Sequence, residues 1–291
     1  MGRRVLKKPP FYPAARAAYP PAMADELHIP SVRAFGAEVD FGETAADYGK
    51  HRAGFPAQFF ERLAEQVALA PGLAALDVGT GAGTIARALA ARGLAVSGLD
   101  IAEKLMAEAA QLDAEAGVSV AYHVGSAEDL PFPEERFDIV AAGQCWHWFD
   151  REKAAAEAVR VLKPGGALVI AHFDWLPLPG SVVEATEALI LEANPKWTLA
   201  GGVGMYPRWL ADMAGAGLTA LETRSFDVDQ PYTHEAWRGR IRASAGVSGS
   251  LPPDQVAAFD SRHAAMLKER FPEEVLQTPH RVWWAVGRKT A

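Results

Sequence analysis

The chain has 291 residues, a length for one large domain or two small ones. Hydrophobic residues make up 49% and charged residues 22%, which supplies a sizeable core and excludes a globally disordered chain. A formal net charge of -7 argues against a phosphate-binding nucleic-acid surface, and the single cysteine, Cys145, excludes an internal disulfide or a cysteine-based metal site and fits a reducing cytoplasm. No apolar run reaches the roughly 18 residues that suggest a membrane span. Arg3, Arg4, Lys7 and Lys8 are followed by prolines rather than an apolar stretch, so no secretory signal is predicted. Residues 1–30 read as a loosely ordered arm.

A regular rhythm starts near residue 55. Pro56 suits a helix start, and Phe59, Phe60, Leu63 and Val67 recur at helical spacing until Pro71-Gly72. Residues 73–78 form a short apolar run that enters the turn Gly79-Thr80-Gly81-Ala82-Gly83, and a helix follows over 84–92. The alternation continues with strands at 94–99, 118–124, 137–142 and 167–171 and helices at 102–116 and 153–162. Strand-helix alternation implies right-handed crossovers and a parallel sheet covered on both faces. After residue 172 the rhythm stops. Residues 173–217 hold Trp175, Trp197, Tyr206 and Trp209 among prolines and glycines. Strand character returns at 219–228 and 281–286, with helical stretches at 234–244 and 253–270 between them.

A strand that runs into a glycine-rich turn and then a helix is a nucleotide-binding device, because glycines let a ligand lie against the backbone. A dinucleotide site needs a third glycine five residues after the first; here that position is Thr84, and the glycines follow a G-x-G-x-G spacing. Asp77, two residues before the turn, would oppose a pyrophosphate and tolerate a cationic ligand. The second strand closes on Asp100, where an acid accepts hydrogen bonds from ribose hydroxyls.

Four segments in order carry a resemblance. The run from Ala75 to Thr84 resembles motif I of the class I S-adenosylmethionine-dependent methyltransferases. Gly125-Ser126-Ala127-Glu128-Asp129-Leu130-Pro131-Phe132 is similar to the adenine-facing loop of their type-11, ubiquinone-biosynthesis-like branch. Phe137-Asp138-Ile139-Val140 with Gln144-Cys145-Trp146-His147-Trp148-Phe149-Asp150 resembles the branch's fourth strand and its exit, and Val161-Leu162-Lys163-Pro164-Gly165-Gly166 its turn into the fifth. The resemblance covers residues 40–172. It implies an α/β fold, a doubly wound, mostly parallel seven-stranded sheet of Rossmann-like type, with a helical cap. It implies a methyltransferase domain over 31–291, with 173–217 inserted as a cap over the acceptor pocket.

The same resemblance implies S-adenosylmethionine as cofactor and assigns roles. Gly79, Gly81 and Gly83 line the methionine and ribose, with Thr80 beside them. Asp77 lies near the methionine ammonium. Asp100 holds the ribose and Ile101 packs on the adenine. Ala127 and Glu128 meet the base edge, although Ser126 stands where an acid is common. Gln144 completes the set from the fourth strand. Tyr48 and Arg52, four residues apart, share one helix face, and Arg52 suits the methionine carboxylate.

Methyl transfer is an in-line displacement in which the protein aligns the acceptor, with a general base for a hydroxyl or an acidic C–H. His147 is the candidate base, or equally a residue that packs the loop. Trp146, Trp148, His172 and Trp175 are candidate acceptor contacts, and Asp174 lies at the same edge. Cys145 reads as a small buried residue. Arg238, Arg240 and Arg242 read as a solvated helix face. The expected acceptor is a small organic molecule methylated at oxygen or carbon, with no metal, nucleic-acid or membrane partner. Nitrogen is disfavoured because Trp146-His147-Trp148 stands where an Asn-Pro-Pro-Tyr-like element would. Two alternatives remain open at this point: a non-catalytic binder of the same fold and a nicotinamide oxidoreductase.

Overall fold

A computed structural model describes residues 54–290. Tyr48, Arg52 and the N-terminal arm lie outside the described residues. The elements alternate in chain order: α1 (Ala57–Leu63), β1 (Ala74–Val78), α2 (Thr84–Ala90), β2 (Ala95–Asp100), α3 (Glu103–Glu115), β3 (Ala121–Val124), β4 (Phe137–Gly143), α4 (Arg151–Val161), β5 (Leu162–Trp175), α5 (Val182–Ala193), α6 (Trp209–Gly215), β6 (Thr219–Thr233), α7 (His234–Arg242), α8 (Pro253–Arg270) and β7 (Val275–Arg288). The seven strands form one sheet in the order β3-β2-β1-β4-β5-β7-β6. Strands β1 to β5 are mutually parallel, and β7 runs antiparallel to both neighbours.

Strands that are buried on both faces need apolar side chains at nearly every position. β1 and β4 meet that demand, and two apolar layers result. Leu76, Val140, Leu162, Leu168 and Ile170 join α4 and α6 on one face. Ala75, Ile139, Val169, Phe59, Ile85 and Leu89 join α1 and α2 on the other. No helix among the described residues is long and apolar enough to cross a membrane.

Two expectations change. Pro164-Gly165-Gly166 does not separate α4 from its strand. β5 begins at Leu162, slips register between Phe137 and Ile139 of β4, and runs on to Trp175. Its opening is held by the chain end, where Gly165 N–H donates to Lys289 O at 3.0 Å and Lys289 N–H to Gly166 O at 2.9 Å. His172 and Asp174 therefore lie within the strand, opposite Trp283 and Arg281 of β7. Nor is the helical cap confined to 173–217. Its core draws Val183 and Ile190 from α5, Trp237 and Ile241 from α7, and Phe259 and Leu267 from α8. Short helices cannot bury an apolar face alone, so α5 waits for two helices that follow β6.

Candidate active site

The carboxyl edges of β1, β2, β4 and β5 form one rim, the place where open parallel sheets bind ligands. At β1 the chain turns through Gly79, Gly81 and Gly83, all with positive φ (64°, 53° and 74°). A Cβ added at Gly79 would lie 2.8 Å from Cβ and Sγ of Cys145, and one at Gly83 2.3 Å from the Tyr122 hydroxyl oxygen. These two glycines are demanded by packing. Gly81 differs, because nothing lies within 4 Å of an added Cβ. Its backbone faces open space, so it is the glycine a ligand can lie against.

Three side chains hold this turn. Asp77 accepts from Thr80 Oγ1 at 2.8 Å and from the Ala86 N–H of α2 at 3.1 Å. Asp100 accepts from Gly81 N–H at 2.8 Å and Ala102 N–H at 2.9 Å, bridging the β1 and β2 exits. Arg87 donates to Ala82 O at 2.9 Å and pairs with the buried Asp113 at 2.8 Å. Beyond Asp100, Ile101 is 78% exposed, a large apolar side chain uncovered on the rim.

Asp77 is only 2% exposed. Burial pushes its carboxyl from 3.8 to about 7, against the pull of the Thr80 and Ala86 hydrogen bonds and with a small push from Asp100. The folded chain thus holds a proton there that the unfolded chain releases near pH 4. The contribution of Asp77 to stability therefore falls as pH rises between about 4 and 7, by something on the order of 4 kcal/mol, and is flat above. Asp77→Asn keeps an acceptor for both donors and removes the charge. The cofactor-free variant is expected to be more stable than the parent at pH 8 and no more stable at pH 4. Parallel pH profiles in urea melts would refute this assignment.

A paired substitution separates the roles of two glycines. Gly79→Ala drives a methyl group into Cys145 at positive φ and is expected to cost about 2–4 kcal/mol. Gly81→Ala meets no atom and is expected to cost only about 1–2 kcal/mol, the backbone part. Equal urea midpoints for the two variants would contradict the packing account.

The loop after β3 turns inward. Ala127 is buried in the core, while the Glu128 carboxylate accepts the Ser126 hydroxyl and the Asp150 N–H at the start of α4, the latter at 2.8 Å. The Glu128 carboxylate is thus engaged within the protein rather than held open toward a base edge. At the β4 exit Gln144 adopts φ 60°, a strained value for a residue with a Cβ, and its N–H donates to Ala171 O at 2.9 Å. Cys145 is buried under the glycine turn, with its thiol donating to Val78 O at 3.2 Å. Trp146, expected against the acceptor, is 1% exposed and donates to Asp212 at 3.1 Å. Its indole is core, because the turn over Trp146–Trp148 points it under α6. His147 and Trp148 are half-buried at the rim, with ring centroids 4.9 Å apart.

The β5 exit carries the densest polar group of the rim. His172, 6% exposed, donates from Nδ1 to Asp174 Oδ2 at 2.8 Å, and the Tyr206 hydroxyl donates to the same oxygen. A carboxylate at that distance fixes the tautomer, since it can only accept. The His172 Nε2 is buried, with no hydrogen-bond partner among the described residues, and offers a lone pair whenever the ring is neutral. Burial would raise the Asp174 carboxyl, but His172, the Tyr206 hydroxyl and His147 outweigh it and hold it at about 2. Burial and Asp174 push the Tyr206 phenol well above 10, so it stays protonated. The His172 ring centroid lies 5.4 Å from His147, 4.5 Å from Tyr206 and 5.5 Å from Trp209.

The four predicted cap aromatics divide. Tyr206 and Trp209 stack at 4.1 Å beside His172. Trp197 is buried in the cap core instead. Trp175 stands between, with its indole N–H donating to Glu187 at 2.8 Å. The partnership of Tyr206 with Asp174 escaped sequence reasoning. The i, i+2 spacing of His172 and Asp174 on a strand was the available signal, since it puts both on one face.

This fold and rim define a Rossmann-like methyltransferase domain, and relatives agree. A family model described as a methyltransferase domain matches residues 76–170. The chain is 29% identical over 198 residues to an uncharacterized methyltransferase of Schizosaccharomyces pombe, covering 67% of this chain and 74% of that protein. It is 32% identical over 185 residues to the ubiquinone biosynthesis O-methyltransferase of Xanthomonas campestris pv. campestris, covering 63% of this chain and 75% of the relative. The crystal structure of the YcgJ protein of Bacillus subtilis superposes with a TM-score of 0.52 at 20% identity, covering 81% of this chain and all of the other, which shows the shared fold. The chain belongs to the class I S-adenosylmethionine-dependent methyltransferases. It is an enzyme that uses S-adenosylmethionine, and the nicotinamide oxidoreductase and the non-catalytic binder fall away.

Proposed function

We propose that the protein methylates a hydroxyl oxygen of a small organic molecule, with His172 as general base. The cofactor supplies a methyl group on a sulfonium, poised for displacement. The residues of the rim fit its parts. Asp100 suits the ribose hydroxyls, Ile101 an adenine face, Gly81 a closely lying chain and Asp77 a cationic end. Gly79, Thr80 and Gly83 shape the turn, while Gln144 and the backbone of Ala127 and Glu128 border it. Tyr48 and Arg52 are proposed for the methionine carboxylate on the resemblance alone.

The observation that carries the oxygen assignment is the His172 Nε2, a buried acceptor with no partner among the described residues, backed by Asp174. As the acceptor oxygen gains the methyl group, Nε2 takes its proton. Asp174, already ionised, steadies the imidazolium that results, and Tyr206 keeps that carboxylate in place. The base thus shifts from His147 to His172, with His147 and Trp148 bordering the acceptor. The Xanthomonas relative is an O-methyltransferase, which supports the same class of acceptor atom. We further propose a cytoplasmic setting, in keeping with one cysteine that is buried and reduced.

The test is transfer of a deuterated methyl group from S-adenosylmethionine to a metabolite extract, with products resolved by mass and NMR. A methoxy product is expected. Label on carbon or nitrogen, or in no product, would overturn the assignment.

A further inference from the structure

Helix α7 carries three arginines at alternate positions, and the fold treats them differently. Arg238 and Arg242, one turn apart, share Asp260 at 3.0 Å each and also pair with Glu235 at 3.0 and 2.9 Å. Arg240 projects the other way. Its guanidinium lies over the Trp175 ring, 4.8 Å from the centroid, and among the described residues it has no carboxylate in ion-pair contact. Trp237, fully buried and edge-on to Trp175 at 5.7 Å, fixes the rotation of α7 that sends Arg240 inward.

The nearby acids are spoken for. Glu187 accepts from Trp175 Nε1 and Gly201 N–H, both at 2.8 Å, and burial raises its carboxyl. Asp174 acts on Arg240 through space, yet its contacts are His172 and Tyr206. The other titratable groups on this side are Tyr232 and His280; the former attracts Arg240 through space, and Arg240 in turn depresses the latter. A half-buried guanidinium without a counterion is costly unless an anion completes it. Contact with one indole does not replace a carboxylate, although it holds the planar guanidinium in place for two-point binding.

We propose that Arg240 is the acceptor anchor, binding a carboxylate of the molecule whose hydroxyl is methylated, so that the substrates are hydroxy acids. This rests on the oxygen-methylation reading. A monoanion fits better than a phosphate dianion, because a single arginine faces it and Asp174 stands close by.

The test uses full-length protein saturated with S-adenosylhomocysteine, titrated calorimetrically with 4-hydroxyphenylacetate, 3-hydroxydecanoate, the neutral amide of each, and phenyl phosphate. At least one acid is expected to bind about 10- to 100-fold tighter than its amide. Arg240→Met is expected to erase that preference and Arg240→Lys to keep part of it, with unchanged S-adenosylhomocysteine affinity in both. Equal binding of acids and amides, no binding of any acid, a preference that survives in Arg240→Met, or tighter binding of phenyl phosphate would each overturn the anchor. If Arg240→Met does not fold, Arg240→Gln replaces it under the same criteria. Failure of the parent to bind S-adenosylhomocysteine would strike the methyl-transfer reading instead, and acid-against-amide titrations without it would still decide on Arg240.

Discussion

His172→Gln is expected to lower kcat by about 100- to 10,000-fold while the affinity for S-adenosylhomocysteine stays that of the parent. Glutamine can still donate toward Asp174 but cannot take up a proton at the acceptor, so the loss isolates proton transfer from packing. Asp174 stays the ionised partner in the comparison, since His172, the Tyr206 hydroxyl and His147 outweigh its burial and hold its carboxyl at about 2. Asp174→Asn should cost less, because Nε2 survives and only its orientation and charge support are weakened. A His172→Gln enzyme with parental kcat would return His172 to a packing role and leave His147 as the candidate.

Asp100→Ala is expected to weaken S-adenosylhomocysteine binding by about 100- to 1,000-fold, measured by calorimetry. The carboxylate serves two masters. It holds the Gly81 and Ala102 N–H groups at 2.8 and 2.9 Å, which shapes the ligand-facing turn before any ligand arrives. Its remaining lone pairs suit two ribose hydroxyls. Hydrogen bonds to a charged acceptor are worth about 1.5–3 kcal/mol each, so losing the pair reaches the stated range. Asp100→Asn should fall between, since one of its side-chain groups is a donor facing donors. An unchanged dissociation constant would remove Asp100 from the cofactor site.

Most of the cofactor rim was legible along the chain, because its parts are local. A strand, a glycine turn and a helix are contiguous, and Asp100 ends the very next strand. Even there, local reading treated the three glycines alike. Gly79 is glycine because Cys145 lies beneath it and Gly83 because Tyr122 does, contacts made across the sheet. The acceptor side was poorly legible for the opposite reason. Tyr206 reaches Asp174 across 32 positions, and Arg240 reaches Trp175 only after β6 has crossed the sheet. Trp146, by sequence a rim residue beside His147, went into the core because the turn at the β4 exit rotates it under α6.

By itself, then, the order of apolar runs, glycine turns and helical stretches determined the α/β class, the parallel sheet and the turn that faces the cofactor. Periodicity and backbone stereochemistry act over a few residues and are written in the chain directly. Which of three arginines would face inward, which histidine would be left with a buried lone pair, and which helices would close the cap were decided only by tertiary structure. Those outcomes depend on the antiparallel β7, inserted between β5 and β6, and on burial that no single segment can achieve alone.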